Sequence, residues 1–271
     1  MGFSVLMSVY QKEKPEYLRQ ALRSVMHQTL KPQEIVLMQD GELTEELYQV
    51  IRECRKECPY LKTYEIPDNV GLGRALAKGV LLCGNELVAR MDTDDIAVEK
   101  RFEVQYRYMI EHPDIAVTGG FMEEFDEENL AYHKVKTMPE QMSEIRRYAK
   151  YRNPLNHMTV MFRKEAVIKA GNYRHFPFLE DYDLWNRMLV QGEDFYNLEE
   201  VLVKTRTNRE LYGRRGGNAY CRQYLYLRRQ QRAMGLLGKW DYYMAVLLTI
   251  IMTMQPTGIR KMIYQKILRK Q

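Results

Sequence analysis

The strongest constraint on this chain is an alternation in its first hundred residues, where short apolar runs take turns with segments of helical spacing. Phe3 to Val9 is apolar and β-rich and ends in polar residues, as buried strands do. Pro15 suits the first turn of a helix, and Leu18, Leu22 and Val25 follow at helical steps. Glu34 to Met38 reads as a second strand, ending at Gln39-Asp40-Gly41, and a helix with Leu47, Val50 and Ile51 on one face comes next. Leu61 to Ile66 reads as a third strand, Gly71 to Leu82 as a helix and Glu86 to Met91 as a fourth strand. Strands alternating with amphipathic helices predict a mostly parallel sheet with helices on both faces. In such sheets ligands bind beyond the carboxyl ends of the strands. That rule selects three places: after Val9, around Asp40, and Asp92 to Asp95.

The pattern then becomes mixed. Val98 to Ile110 reads as helix, Ile115 to Phe125 as strand and Ala131 to Val135 as a returning strand. Met158 to Phe162 reads as strand, followed by a short helix to Ala170. Asp181 to Gln191 reads as helix and Val201 to Thr205 as the last strand. From Asn218 onward the chain reads as helix, broken at Gly238 and Pro256. The expected division is a larger domain over 1–210, with a nucleotide-binding half (1–97) and a mixed half (98–210), then a basic loop and helical extension over 211–271.

Charge sharpens that division. The whole chain carries +5, yet residues 204–271 hold fifteen Lys and Arg against two acids, Glu210 and Asp241. A basic tail on an acidic domain points to an anionic partner: nucleic acid, anionic lipid or a diphosphate. Tyr242 to Met254 is uncharged and apolar but shorter than the roughly 20 residues a spanning helix needs, so a buried or interfacial helix fits better. In Gly258 to Lys270 an apolar helical face, with Ile259, Met262, Ile263 and Ile267, is flanked by bases. That suits an anionic membrane surface, or packing on the domain with the basic face solvated. The four cysteines lack zinc-site spacing and read as free thiols. The start lacks a leader-like segment, so the expected location is cytoplasmic, peripheral at the inner face of the cell membrane.

Asp92-Thr-Asp-Asp95 carries the sharpest chemistry. Three carboxylates in four residues repel one another, and a hard divalent cation, Mn²⁺ or Mg²⁺, relieves that repulsion. The alternative is a helix cap, because Asp is favoured at N-caps and in first turns. Both hold if Asp92 and Asp94 face the crevice and Asp95 caps the helix from Val98. Glu180, Asp181 and Asp183 form a second cluster ahead of Leu184, Trp185, Met188 and Leu189. A carboxylate against such an apolar wall can act as general base toward a sugar hydroxyl, or cap a helix. Asp40 is a base or ribose contact, or a turn aspartate. Asn69-Val-Gly-Leu-Gly-Arg-Ala75 resembles a phosphate loop without matching one. Tyr212-Gly-Arg-Arg-Gly-Gly-Asn218 suits clamping a diphosphate, or is a solvated loop.

Taken in order, these motifs resemble family 2 glycosyltransferases of the GT-A fold, and bacterial exopolysaccharide and capsule enzymes of the amylovoran-biosynthesis type within them. The resemblance rests on Ser4 to Tyr10, Ser24 to Thr29, Gln39-Asp-Gly41, Asn69-Val-Gly71, Ala89 to Ile96, Leu179 to Trp185 and Arg214 to Gly217. It implies a Rossmann-like α/β fold and an inverting transfer from a nucleotide-diphosphate sugar, with UDP the usual nucleotide. The acceptor would be a glycan or a polyprenyl-diphosphate-linked glycan. Val9, Tyr10 and Asp40 would hold the nucleoside. Gly71, Arg74, Arg214 and Arg215 would assist donor binding. Asp92 would contact ribose or metal, and Asp94 the metal on the diphosphate. Asp181 would be the base, with Glu180, Trp185 and His157 on the acceptor side. Gln39 departs from the family, which often has an acid there. A sugar-phosphate nucleotidyltransferase is the rival, but Val9 to Glu13 lacks its glycine-rich basic loop. A nucleic-acid-binding role is disfavoured, because the tail's bases accompany apolar helices rather than a recognised binding module.

Overall fold

The computed structural model describes residues 2–127, 129–207 and 216–256. Its first half follows the predicted alternation: β1 (Phe3–Val9), α1 (Pro15–Met26), β2 (Glu34–Asp40), α2 (Glu45–Glu57), β3 (Leu61–Ile66), α3 (Leu72–Leu82) and β4 (Leu87–Arg90). β1 pairs in parallel with β2 and β4, and β2 with β3. The carboxyl ends of these four strands therefore share one edge. Helices cover both faces. Val5, Met7 and Leu37 pack with α1 and α2, while Leu6, Val36 and Met38 pack with α3. The period-2 alternation along buried strands serves both cores. Gly79 lets α3 sit close, since a Cβ there would lie 2.3 Å from Leu6 Cδ1.

Beyond β4 the chain adds β5 (Ile96–Ala97), α4 (Arg101–Glu111), β6 (Ile115–Phe125), β7 (His133–Lys136) and α5 (Met142–Ala149). A 3₁₀ turn (His157–Thr159), β8 (Met161–Arg163), α6 (Lys164–Lys169), α7 (Glu180–Val190) and β9 (Asp194–Arg206) follow. The sheet runs β3-β2-β1-β4-β8-β6-β9-β5, with β7 on β6. β8 is antiparallel to β4 and β6, so the sheet is mixed at its centre. Two helices close the described chain, α8 (Asn218–Ala233) and α9 (Lys239–Met254). No described helix is long and apolar enough to cross a membrane.

Four expectations change. The strand expected from Met158 starts only at Met161, because the Thr159 hydroxyl donates to Asn156 O at 2.8 Å and tightens a 3₁₀ turn there. The helix expected from Val98 starts at Arg101, after β5 and its pairing with β9. β9 runs from Asp194, longer than expected, because it pairs with β6 along most of its length through register shifts near Gly120. α5 was not foreseen: only Ile145 and Ala149 of its eight residues are buried, too few for a clear helical stripe.

Candidate active site

The site forms where β4 ends. Asp92, Asp94 and Asp95 place a carboxylate oxygen each within 4.8 Å of one another. The turn that carries them is held from several sides. The Thr93 hydroxyl donates to Glu13 Oε2 at 2.8 Å and lies 3.3 Å from Ser8 O, joining this turn to the end of β1. Asp95 is buried, and its carboxylate accepts from Arg206 N and Thr205 Oγ1, both at 3.3 Å, at the end of β9. The expectation that Asp95 caps the next helix is overturned, since that helix begins six residues on, with Lys100 as its cap. Burial, then the Asp94 and Asp92 charges, raise the Asp95 carboxyl well above the carboxylate range. Although Asp94 is exposed at the mouth of the cluster, desolvation by its surroundings, then Asp92 and Glu13, push its carboxyl up to about 7. Such mutual destabilisation is what a hard cation relieves. An oxygen-only set of three carboxylates fits Mn²⁺ or Mg²⁺, with Asp95 joining the expected pair Asp92 and Asp94.

Beneath this cluster lies a residue to which the sequence reading gave no role. Arg90, the last residue of β4, is 1% exposed. One guanidinium nitrogen pairs with Asp92, while Nε and Nη1 have no hydrogen-bond partner among the described residues. Its charge also favours the ionised forms of Asp94, Asp95, Glu180 and Asp181. A cation at the end of a buried strand next to three acids was a signal available in the sequence. Arg101 supports the same turn from below, donating to Arg90 O at 2.7 Å. Arg206 is a second such residue: it donates to Asp94 O, and to Glu127 Oε1 at 2.8 Å.

The expected donor residues gather on the same edge but differ in what they offer. Val9 is fully buried, so only its backbone can meet a ligand, whereas Tyr10 is exposed. Asp40 is not an open nucleoside contact. Its carboxylate accepts from Val70 N at 2.7 Å and Gly71 N at 3.0 Å, and so fixes the loop before α3. The φ of +87° at Gly41 permits the close approach of Asn69 there. Gln39, where the family often has an acid, is buried with Oε1 unpartnered. Arg74 is exposed in the first turn of α3. Arg214 and Arg215 lie outside the described residues.

The residues expected on the acceptor side gather around α7. Asp181 is in its first turn, and its carboxylate accepts from Asn153 Nδ2 at 2.6 Å and Tyr182 N at 2.7 Å. Burial is the main cause raising its carboxyl, against those hydrogen bonds. Burial, then Asp181, push neighbouring Glu180 up to about 7. Asp181 and His157 line a cavity of about 420 Å³. His157 lies 3.0 Å from the Tyr173 hydroxyl, and burial, then Arg90, hold the imidazole neutral. Trp185, expected on this side, is a correction. It is fully enclosed and packs edge-on against Phe195 and Tyr173, because the α7 position it occupies faces the sheet. Asn153 was missed, and no local pattern marks it.

Residues 4–173 match the family model for Glycosyl transferase family 2. The chain belongs to this family. That membership disfavours the nucleotidyltransferase alternative. Among family 2 relatives, the chain is 39% identical over 264 residues to the amylovoran biosynthesis glycosyltransferase AmsE of Erwinia amylovora, covering 97% of this chain and 98% of that one. It is 33% identical over 268 residues to an Escherichia coli UDP-Gal:α-D-GlcNAc-diphosphoundecaprenol β-1,3-galactosyltransferase, covering 99% and 97%. The fold is GT-A: Staphylococcus aureus TarS 1–349 with UDP-GlcNAc superposes with a TM-score of 0.66 at 15% identity, covering 92% of this chain and 72% of that one. A Pyrobaculum calidifontis mannosyltransferase with GDP-Man and Mn²⁺ gives 0.64 at 12% identity, covering 95% and 71%.

Proposed function

We propose that this glycosyltransferase is inverting and takes a hexose from a UDP-sugar to a glycan or polyprenyl-diphosphate-linked glycan in surface-polysaccharide synthesis. The observation that carries this reading is the pairing of two acid clusters through one buried cation. Asp92, Asp94 and Asp95 stand on the donor side, Asp181 stands on the cavity wall, and Arg90 favours the ionised form of members of both. The names of the Erwinia and E. coli relatives support the substrate classes.

In this reading Asp181 accepts the proton of the acceptor hydroxyl. The hydroxyl oxygen bonds to the anomeric carbon from the face opposite the departing diphosphate. The carbon–oxygen bond to that diphosphate breaks, and its electron pair leaves on UDP, so the anomer inverts. Asp92 and Asp94, with Asp95, would hold Mn²⁺ or Mg²⁺, which when bound supplies charge neutralisation on the diphosphate. The Val9 backbone, Tyr10, Gly71 and Arg74 would line the donor site, and the guanidinium groups of Arg214 and Arg215 would neutralise charge on the diphosphate. Glu180 and His157 would shape the acceptor side. Inner-face membrane association fits a lipid-linked acceptor.

The test is donor hydrolysis across UDP-, GDP- and dTDP-sugars, with and without Mn²⁺. Hydrolysis of a UDP-sugar that is abolished by chelation is expected. Equal turnover after chelation, or turnover confined to another nucleotide, would remove the metal or the UDP part of the reading.

A further inference from the structure

The cavity beside Asp181 has a wall that the family match does not reach. Residues 4–173 carry that match, yet Tyr220, Tyr224 and Arg228 of α8 and Leu248, Thr249 and Met252 of α9 line the cavity with Asp181. These helices are fastened to the catalytic half. Arg228 is 2% exposed, and donates to Lys150 O at 3.0 Å, Tyr151 O at 2.6 Å and Thr249 Oγ1 at 3.2 Å. It also donates to the Tyr182 hydroxyl, one residue from Asp181, at 3.2 Å. Gln231 Nε2 donates to Ala149 O at 3.0 Å, and Asp241 accepts from Lys150 Nζ at 2.7 Å and the Tyr151 hydroxyl at 2.8 Å. The orientation of α9 relative to Asp181 is thereby fixed.

Three chemistries meet along this cavity. Asp181 and Asn153 form a polar end suited to a sugar hydroxyl. Arg152 and Lys136 add cations to the wall. The Arg152 guanidinium stands over the Tyr148 ring, 5.0 Å from its centroid, and makes no hydrogen bond or ion pair among the described residues. Leu248 and Met252 add an apolar part of the wall, and the helix that carries them leaves Leu247, Leu248, Ile250, Ile251 and Met254 half exposed. α9 has no charged side chain after Asp241. The sixteen-residue helix is about 24 Å long, so its outer face offers an apolar strip rather than a span.

We propose that this cavity is the binding site for a polyprenyl-diphosphate-linked acceptor, with the diphosphate at Arg152 and Lys136 and the first isoprene units on Leu248, Met252 and the outer face of α9. The proposal rests on the reading of Asp181 as the acceptor-side base. The occupant follows from complementarity: hydrogen-bonding groups for a sugar, cations for a diphosphate and an apolar helix face for hydrocarbon line one cavity. A bare membrane surface accounts for the exposed strip but not for cations inside a cavity shared with Asp181. A soluble glycan accounts for neither.

The test uses the full chain and undecaprenyl diphosphate in detergent micelles, with undecaprenol micelles and empty anionic vesicles as comparison arms. Undecaprenyl diphosphate is expected to bind tightest. Arg152→Ala should weaken that binding about tenfold, as loss of one charge-assisted contact does, and Arg152→Lys should recover part of it. Leu248→Glu, on an exposed position that the fold tolerates, should weaken both polyprenyl ligands. Matched thermal unfolding checks that each variant is folded. Equal binding of undecaprenyl diphosphate and undecaprenol, unchanged binding in Arg152→Ala, or equal binding to empty anionic vesicles would each overturn the proposal. Hydrolysis of UDP-sugars by the parent chain is read separately. Binding without hydrolysis sinks the donor reading and leaves this site standing, and hydrolysis without binding does the reverse.

Discussion

The proposed donor edge and the proposed acceptor cavity are built on opposite plans. On the donor edge the residues sit where strands end: Tyr10 after β1, Asp40 on β2, Arg90 and Asp92 at β4. Strand ends in a parallel sheet converge by topology, so a rule about the sheet locates the site. The acceptor cavity is assembled from a loop residue, Asn153, a helix start, Asp181, and two helices near the end of the described chain. No regular element brings these together. Side-chain hydrogen bonds centred on Arg228 do so. The donor edge can therefore serve many reactions with one geometry, while the acceptor cavity is specific to chains that carry these helices.

Substitutions that separate the two regions test this contrast. The largest effect is expected from Asp181→Asn, which should lower the rate of transfer about 10²–10⁴-fold, the usual contribution of a general base, while UDP-sugar binding stays parental. Transfer at the parental rate would remove Asp181 from the role of base, and lost donor binding would mean the two regions are not separable. Next is Arg90→Met, which affects both sides at once. Removing a buried cation from among acids should cost about 3 kcal/mol in chemical denaturation and weaken Mn²⁺ binding about 10–100-fold. Parental values for both would mean that Arg90 is a packing residue.

A smaller effect concerns pH. Glu180 and Asp181 interact and titrate as a pair, both raised, with Glu180 at about 7. Asp181 must be ionised to take a proton, and burial raises its carboxyl, so transfer should fall with decreasing pH at a pH above that of an ordinary carboxylate near 4. Charges from Arg90 and Asp92 bear on the pair in opposite senses. Glu180→Gln removes the like charge and should move the acid limb of the rate profile to lower pH. An acid limb that stays in place would show that Glu180 does not tune the base. The smallest effect is expected from Gln39→Leu. Among the described residues Oε1 of Gln39 is buried without a partner near the end of β2, an acceptor that in the proposed donor site would meet a nucleobase N–H. Loss of that contact should weaken UDP binding about fivefold, the worth of one neutral hydrogen bond. Calorimetry giving the same affinity would place the nucleobase elsewhere.

Much of the donor edge was legible. Asp92 and Asp94 follow a run of buried-strand character, and their crowding is visible in four consecutive residues. What was misjudged there is instructive. Asp40 looked like a ligand contact and is a staple for the loop at Val70 and Gly71, a distinction that depends on which backbone N–H groups arrive beside it. Asp95 looked like a helix cap because the sequence does not reveal that β5 intervenes and pairs with β9 more than a hundred residues on. Trp185 looked accessible because α7 is apolar around much of its circumference. Tyr182 to Leu189 are all buried, so periodicity could not say which face meets the cavity.

The sequence by itself determined the alternating α/β half, the edge on which ligands meet it, and the acid clusters that carry its chemistry. These follow from local periodicity and from the fixed geometry of parallel strands. Tertiary structure decided what touches those acids: the buried Arg90 paired with Asp92, the Asn153 hydrogen bond to Asp181, and the Arg228 network that brings α8 and α9 over the cavity. Each joins residues distant in sequence or depends on which way a buried side chain points. Burial sets such contacts through the whole packed fold, and no window of sequence contains them.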